Sequence, residues 1–312
     1  MERAPLHPRV KKALWVCGAA LGFHLLVMLL PRNMPEQELA IARAIPDPAK
    51  RVTLLKPLLE NPKATGANLR EAAELLREGS PMDAYELTRA SESKEPGAVE
   101  TQLLLARICH GQRMKRCEEE AFRRAEELAP RDPRAALLRA DFHERDGDKE
   151  GALRAVERAY QVAPGQTGVG VRYARLLSAT ARGDAAMRVL ETQGEALGKA
   201  RMWVEQGHVR VDQGRLEDGR KLFARAAEEN PKLASAHYYL GLTAFRLGDI
   251  ERAEEALREA DRLEMTSMKA LSALCEIQRR TGRMNDLTVT RMDLERRFPE
   301  KLDAVRDACG MH

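Results

Sequence analysis

The stretch ARMWVEQGHVRVDQGRLEDGRKLFARAAEENPKL, residues 200–233, decides the fold. Two amphipathic segments flank Gly214, and Pro231 closes the second. Glycine supplies the turn between two helices, and proline stops the second one. The same punctuation recurs along the chain, with glycine at Gly79, Gly147, Gly248 and Gly282 and proline at Pro96, Pro130, Pro164 and Pro299. The first three prolines lie 34 residues apart (130 − 96 and 164 − 130), and Pro231 to Pro299 is two such intervals. A fixed period of this length predicts stacked helical hairpins, none able to bury its apolar face alone.

The repeats begin at Thr65, Val99, Pro133, Thr167, Ala200, Ala234 and Met268, the fourth being one residue short. Position 8 then reads Ala72, Ala106, Ala140, Ala174, Gly207, Gly241 and Cys275, all small. Position 20 is small in five repeats (Ala84, Ala152, Ala186, Gly219, Ala253), with Glu118 and Leu287 as exceptions. Small residues at both places let paired helices approach closely. Position 24 carries Phe122, Val156, Leu190, Phe223 and Leu257, bulky enough to fill the space left, and the final repeat departs with Arg291 there.

This pattern resembles the tetratricopeptide repeat family, most fully in residues 200–233 with Trp203, Gly207, Gly214, Phe223, Ala226 and Pro231. The resemblance covers residues 65–301 and implies an all-α, right-handed α-solenoid of about seven hairpins. It also implies a binding module, with a protein or peptide partner held in a concave groove lined by the first helices. In such repeats positions 2, 5, 9, 12 and 13 face the groove. Here that gives Val204, His208, Val211, Tyr238, Leu242, Phe245 and Arg246, an apolar and aromatic stripe beside a cation. Such a stripe suits an amphipathic helix or an extended peptide. Ordinary packing between repeats accounts for the same residues equally well. The Lys/Asn pair with which some family members clamp a chaperone's terminal carboxylate is missing; Leu69 and Ala73 occupy those slots in the first repeat.

Upstream, residues 13–30 (ALWVCGAALGFHLLVMLL) form an uncharged run of 18 residues. As a helix it spans ~27 Å, close to the ~30 Å of a bilayer core. Arg3, Arg9, Lys11 and Lys12 precede it against Glu2, and Arg32, then Glu36 and Glu38, follow. By the positive-inside rule residues 1–12 are a cytoplasmic tail and the repeats lie across the membrane. No small-x-small cleavage site follows Leu30, and the residues before Cys17 are too bulky for lipidation, so an uncleaved anchor is expected; cleavage and secretion is the alternative. Residues 31–64 hold six prolines and read as a linker, with short helices at 36–45 and 50–60 and a segment, Val52-Thr-Leu-Leu-Lys-Pro-Leu-Leu, able to cap the first repeat. Residues 302–312 read as a closing, solvating segment.

Composition narrows the function. Charged residues make up 32% yet nearly cancel at +4, and they alternate in sign along the helices, so no nucleic-acid partner is expected. Arginine outnumbers lysine three to one, which suits a GC-rich bacterial gene. No catalytic constellation occurs. Gly165-Gln-Thr-Gly-Val-Gly170 lacks the Lys-Ser/Thr of a phosphate loop, and the acidic run 141–146 reads as solvated surface rather than a metal site. The chain is therefore read as no enzyme, with no cofactor, metal or small-molecule substrate.

Cys109 and Cys117 sit almost symmetrically about a hairpin turn, placing a disulfide within reach, although two buried thiols would fit the same positions. Cys275 and Cys309, one repeat apart, are expected to stay unbonded because helix spacing separates them. Together these features point to a single-pass protein of a bacterial inner membrane. Its N-terminus is cytoplasmic and its periplasmic repeats act as a scaffold in envelope assembly, secretion or cell-surface machinery. The alternative is a cleaved periplasmic structural module or a homo-oligomer.

Overall fold

A computed structural model of the chain describes residues 34–310. The apolar run 13–30 and the tail 1–12 lie outside the described residues. Among those described there are 17 α-helices and no strand, and no helix is long and apolar enough to cross a membrane. The chain divides after Pro130 into two compact units.

The first unit comprises α1 (Pro35–Ala44), α2 (Pro48–Leu55), a 3-10 helix (Lys56–Leu59), α3 (Gly66–Leu76), α4 (Pro81–Lys94), α5 (Val99–Gly111) and α6 (Lys115–Leu128). The second comprises α7 (Arg134–Arg145), α8 (Lys149–Val162), α9 (Thr167–Ala179), α10 (Gly183–Leu197), α11 (Lys199–Asp212), α12 (Leu216–Glu229), α13 (Ala234–Arg246) and α14 (Ile250–Leu263). It ends with α15 (Lys269–Arg280), α16 (Met284–Arg297), a 3-10 helix (Pro299–Lys301) and α17 (Leu302–Cys309).

Local chemistry sets the boundaries. Thr65 and Asn68 form a reciprocal cap on α3: Thr65 Oγ1 accepts from the Asn68 amide at 3.1 Å, and Asn68 Oδ1 accepts from the Thr65 amide at 2.9 Å. Asp148 and Asp249 cap α8 and α14 by accepting from Gly151 and Arg252 amides. The hairpin turns at Gly147, Gly214, Gly248 and Gly282 have φ of 72–86°, which only glycine adopts freely. The same slot in two other repeats holds Arg113 (φ 55°) and Ala181 (φ 61°), each strained by roughly 1 kcal/mol. Gly79 is different. Its φ is not positive, but a Cβ there would meet Pro48 Cβ at 2.6 Å, so this glycine admits α2 instead of turning the chain.

Around that contact residues 35–59 pack on the first hairpin. Leu39, Ala42, Leu55 and Leu58 are buried in one cluster with Leu69 and Ala72 of the first hairpin. The prolines do not prevent helices here because Pro35 and Pro48 stand at first helical positions, where no amide donor is needed. Lys56 pairs with Asp83 at 2.7 Å, fastening the 3-10 helix to α4.

At the other end, α17 folds against α15 and α16, with Val305 and Cys309 buried. Cys275 and Cys309 are disulfide-bonded, their Cα atoms 4.9 Å apart, contrary to the spacing argument. That argument took the usual spacing of helices one repeat apart, whereas α17 packs directly on α15 and its Val305 and Cys309 share one buried cluster with Cys275. Cys109 and Cys117 are also bonded, with Cα atoms 5.8 Å apart across the α5–α6 turn.

In the chain-entropy account, closing 34 residues stabilises by about 4 kcal/mol and closing 8 by about 2.5. Cys309→Ser should therefore lower the thermal midpoint more than Cys117→Ser does. Alkylation without reductant should modify Cys17 alone; labelling at Cys275 or Cys309 would contradict the pairing.

Candidate functional site

Four first helices of the second unit, α7, α9, α11 and α13, present the residues of interest. Arg172 on α9 reaches Asp141 at 2.7 Å and Glu144 at 3.0 Å on α7. Arg175 on α9 grips Glu205 on α11 through two bonds of 2.9 and 2.6 Å. Ser178 donates to Asp212 at 2.7 Å. The hydrogen bond to Glu205 is the main reason that Arg175 is held above its ordinary pKa. Burial works against the charge of Arg172, but Asp141 and Glu144 outweigh it and hold the guanidinium protonated. Successive first helices are thus laced together by polar bonds.

Beyond this ladder the chemistry turns aromatic. His208 lies edge-on to Tyr239 with centroids 4.1 Å apart and to Phe223 at 5.4 Å. Phe223 stacks on Tyr239 at 5.7 Å, and Tyr238 meets Tyr239 at 5.1 Å. Arg225 lies 4.3 Å over the Trp203 ring. Tyr239, at the hub, does not fall on a groove position and was missed by the sequence reading; the Tyr238-Tyr239 doublet is the signal that marked it.

The seven stripe residues are gathered on α11 and α13, but most of them face neighbouring helices. Val204 is buried with Phe223 and Ala226, and Val211 packs against the same cluster. Tyr238 and Phe245 pack against the cluster that continues to Val305 and Cys309. Leu242 is half-buried, while Arg246 is exposed. Below Tyr238 a cavity of about 60 Å³ opens between α13 and α15, lined by Ser235, Tyr239, Glu264, Ser267 and Lys269. A wider surface groove of about 770 Å³ runs between α12 and α14 over Leu240 and Ala256. Its rim arginines, Arg220, Arg252, Arg258 and Arg262, each pair with a carboxylate of their own repeat. Among the described residues no cluster of three metal-ligating side chains occurs.

A tetratricopeptide repeat family model matches residues 119–167 and 204–265. Those two stretches carry tetratricopeptide repeats. Among solved structures, a tetratricopeptide repeat protein from Parabacteroides merdae ATCC 43184 is 13% identical and superposes with a TM-score of 0.55, covering 79% of this chain and 98% of that one. That likeness is one of fold. PilW, a type IV pilus biogenesis factor, is 16% identical over 66% of this chain and 97% of its own, with a TM-score of 0.48. YrrB, described as having an unusual peptide-binding site, is 18% identical over 61% and 98%, with a TM-score of 0.41. No curated protein matches the chain.

Within these tetratricopeptide repeats His208 is the titratable group most enclosed by aromatic rings. Burial is the main force pushing its pKa below the model-compound 6.5; Arg175 adds to that, and Glu205 and Asp212 oppose it. A base with a depressed folded pKa is protonated first in the unfolded chain, so stability falls as pH drops below about 6.5. His208→Gln should flatten the pH dependence of the thermal midpoint between pH 7 and 5. An unchanged slope in that variant would assign the dependence to other groups.

Proposed function

We propose that the chain is a scaffold anchored in a bacterial inner membrane by residues 13–30, with its repeats on the periplasmic side holding a protein or peptide partner. Leu242 carries this reading: it is a half-buried apolar side chain on a first helix, one turn before the exposed cation Arg246. An apolar anchor with a neighbouring charge is what a helical or extended ligand requires for affinity and register. The polar ladder of Arg172 and Arg175 would hold α7, α9 and α11 in a fixed arrangement, lowering the ordering cost of binding. Two disulfide pairs suit an oxidising compartment. The setting we favour is envelope assembly, secretion or cell-surface machinery.

Tyr238 and Phe245 are poor probes of the groove because they pack against the core. Leu242→Arg with Arg246→Glu alters only what remains on the surface. In-cell crosslinking of the full chain, followed by membrane purification and mass spectrometry, should capture a protein with the wild type and lose most of it with this variant at equal abundance. Equal capture by both would remove the groove from the account.

A further inference from the structure

The seven repeats provide an internal comparison at their outward-facing second helices. Position 22 is Glu86, Glu120, Arg154, Arg188, Lys221 and Glu255 in the first six, each exposed and each charged. In the seventh it is Val289, 68% exposed. Position 25 shows a similar contrast: it is charged in five of the first six repeats (Arg89, Arg123, Glu157, Glu191 and Arg258, with Ala224 the exception) and is Met292, 59% exposed, in the seventh. Met284, one turn before Thr288, is 58% exposed. Single exposed apolar residues are ordinary, but Val289 and Met292 stand where most other repeats carry charge, and they share one face of one helix.

At 100° per residue the line most directly opposite the buried Leu287 and Leu294 runs Asn285, Val289, Met292 and Arg296. Arg296 is 79% exposed. The line is polar at both ends, amide with the neighbouring Asp286 at one and guanidinium at the other, and apolar between. A second α16 crossing antiparallel sets Val289 against Met292 and Arg296 against Asn285 and Asp286, twice over. A parallel crossing would put the two Arg296 side chains together. Self-complementarity of this kind is what a two-fold interface demands, and opposed helix dipoles favour the same orientation. The carboxylates of Asp286 and Asp293 on the rim of the face disfavour an anionic lipid surface.

We propose that the outward face of α16, centred on Val289 and Met292, is a homodimer contact made with α16 of a second copy of this chain. The face is distinct from the Leu242 groove. Two four-turn helices bury less than a standard interface of about 1,200–2,000 Å², so the association is weak and concentration-dependent.

The test is sedimentation velocity of the full chain in detergent micelles over a wide concentration range, comparing wild type with Val289→Glu. Glutamate is what the first, second and sixth repeats already carry at this position, so the fold is expected to tolerate it, and an unchanged thermal midpoint verifies that. The expected result is a shift of the wild type from monomer to dimer with concentration and a dissociation constant at least about tenfold larger for Val289→Glu. A wild type that stays monomeric throughout overturns the proposal, as does a variant that dimerises as the wild type does. Because Leu242 and Arg246 are unchanged in this variant, partner capture through the groove is read separately.

Discussion

Gly207 and Phe223 make the contact on which the repeats depend. A methyl group on Gly207 would meet the Phe223 ring at 2.5 Å, and one on Gly241 would meet Leu257 at 2.7 Å and the Ala253 carbonyl at 2.9 Å. Gly219 faces back across the first of these pairs, its missing Cβ lying 2.7 Å from Val211. The first helix of a hairpin therefore approaches the second at backbone distance, and one large side chain fills what is left. Phe223 and Leu257 are almost completely buried as a result. Close packing of this kind is intolerant of a single added carbon.

Much else in the second unit follows from that approach. With α11 and α12 held so near, Phe223 reaches Tyr239 of the next repeat, and His208 is enclosed between them. The aromatics that look like a binding stripe therefore join repeat to repeat, leaving Leu242 and Arg246 at the surface. A similar economy operates at the end of the chain. Glu254, only 3% exposed, accepts from Arg258 at 2.8 Å and also pairs with Arg283 of the last repeat. Arg297 bridges Asp261 and Asp293 at 2.8 and 3.2 Å. Removing any of these three arginines would leave a carboxylate short of a partner, at a cost greatest for the buried Glu254.

The repeat was legible because it rests on single residues with one physical job. Glycines 147, 214, 248 and 282 turn the chain through positive φ, and the small residues at positions 8 and 20 announce close helices. The closeness of Cys109 to Cys117 was legible for the same reason, since a hairpin turn fixes their separation locally. What escaped the sequence involves longer reach. Whether Tyr238 faces a groove or a neighbour depends on the angle between repeats, and helical spacing carries no record of that angle. Gly79, which reads as a turn, is also bare toward Pro48 and admits α2, a role its place in the repeat does not show. The Cys275–Cys309 bond depended on α17 packing directly on α15, a contact that repeat spacing does not encode.

The decisive measurement is the change in unfolding free energy on replacing two helical glycines by alanine. Gly168, in α9, has nothing within 4 Å of where its Cβ would be, so alanine there should stabilise by about 0.5–1 kcal/mol through helix propensity. At Gly241 the same gain is available, but the added carbon meets Leu257 and the Ala253 carbonyl, and overpacking costs typically about 1–3 kcal/mol. Gly241→Ala should therefore destabilise while Gly168→Ala does not. If both substitutions stabilise the protein equally, close helix approach at position 8 is not what holds these repeats together.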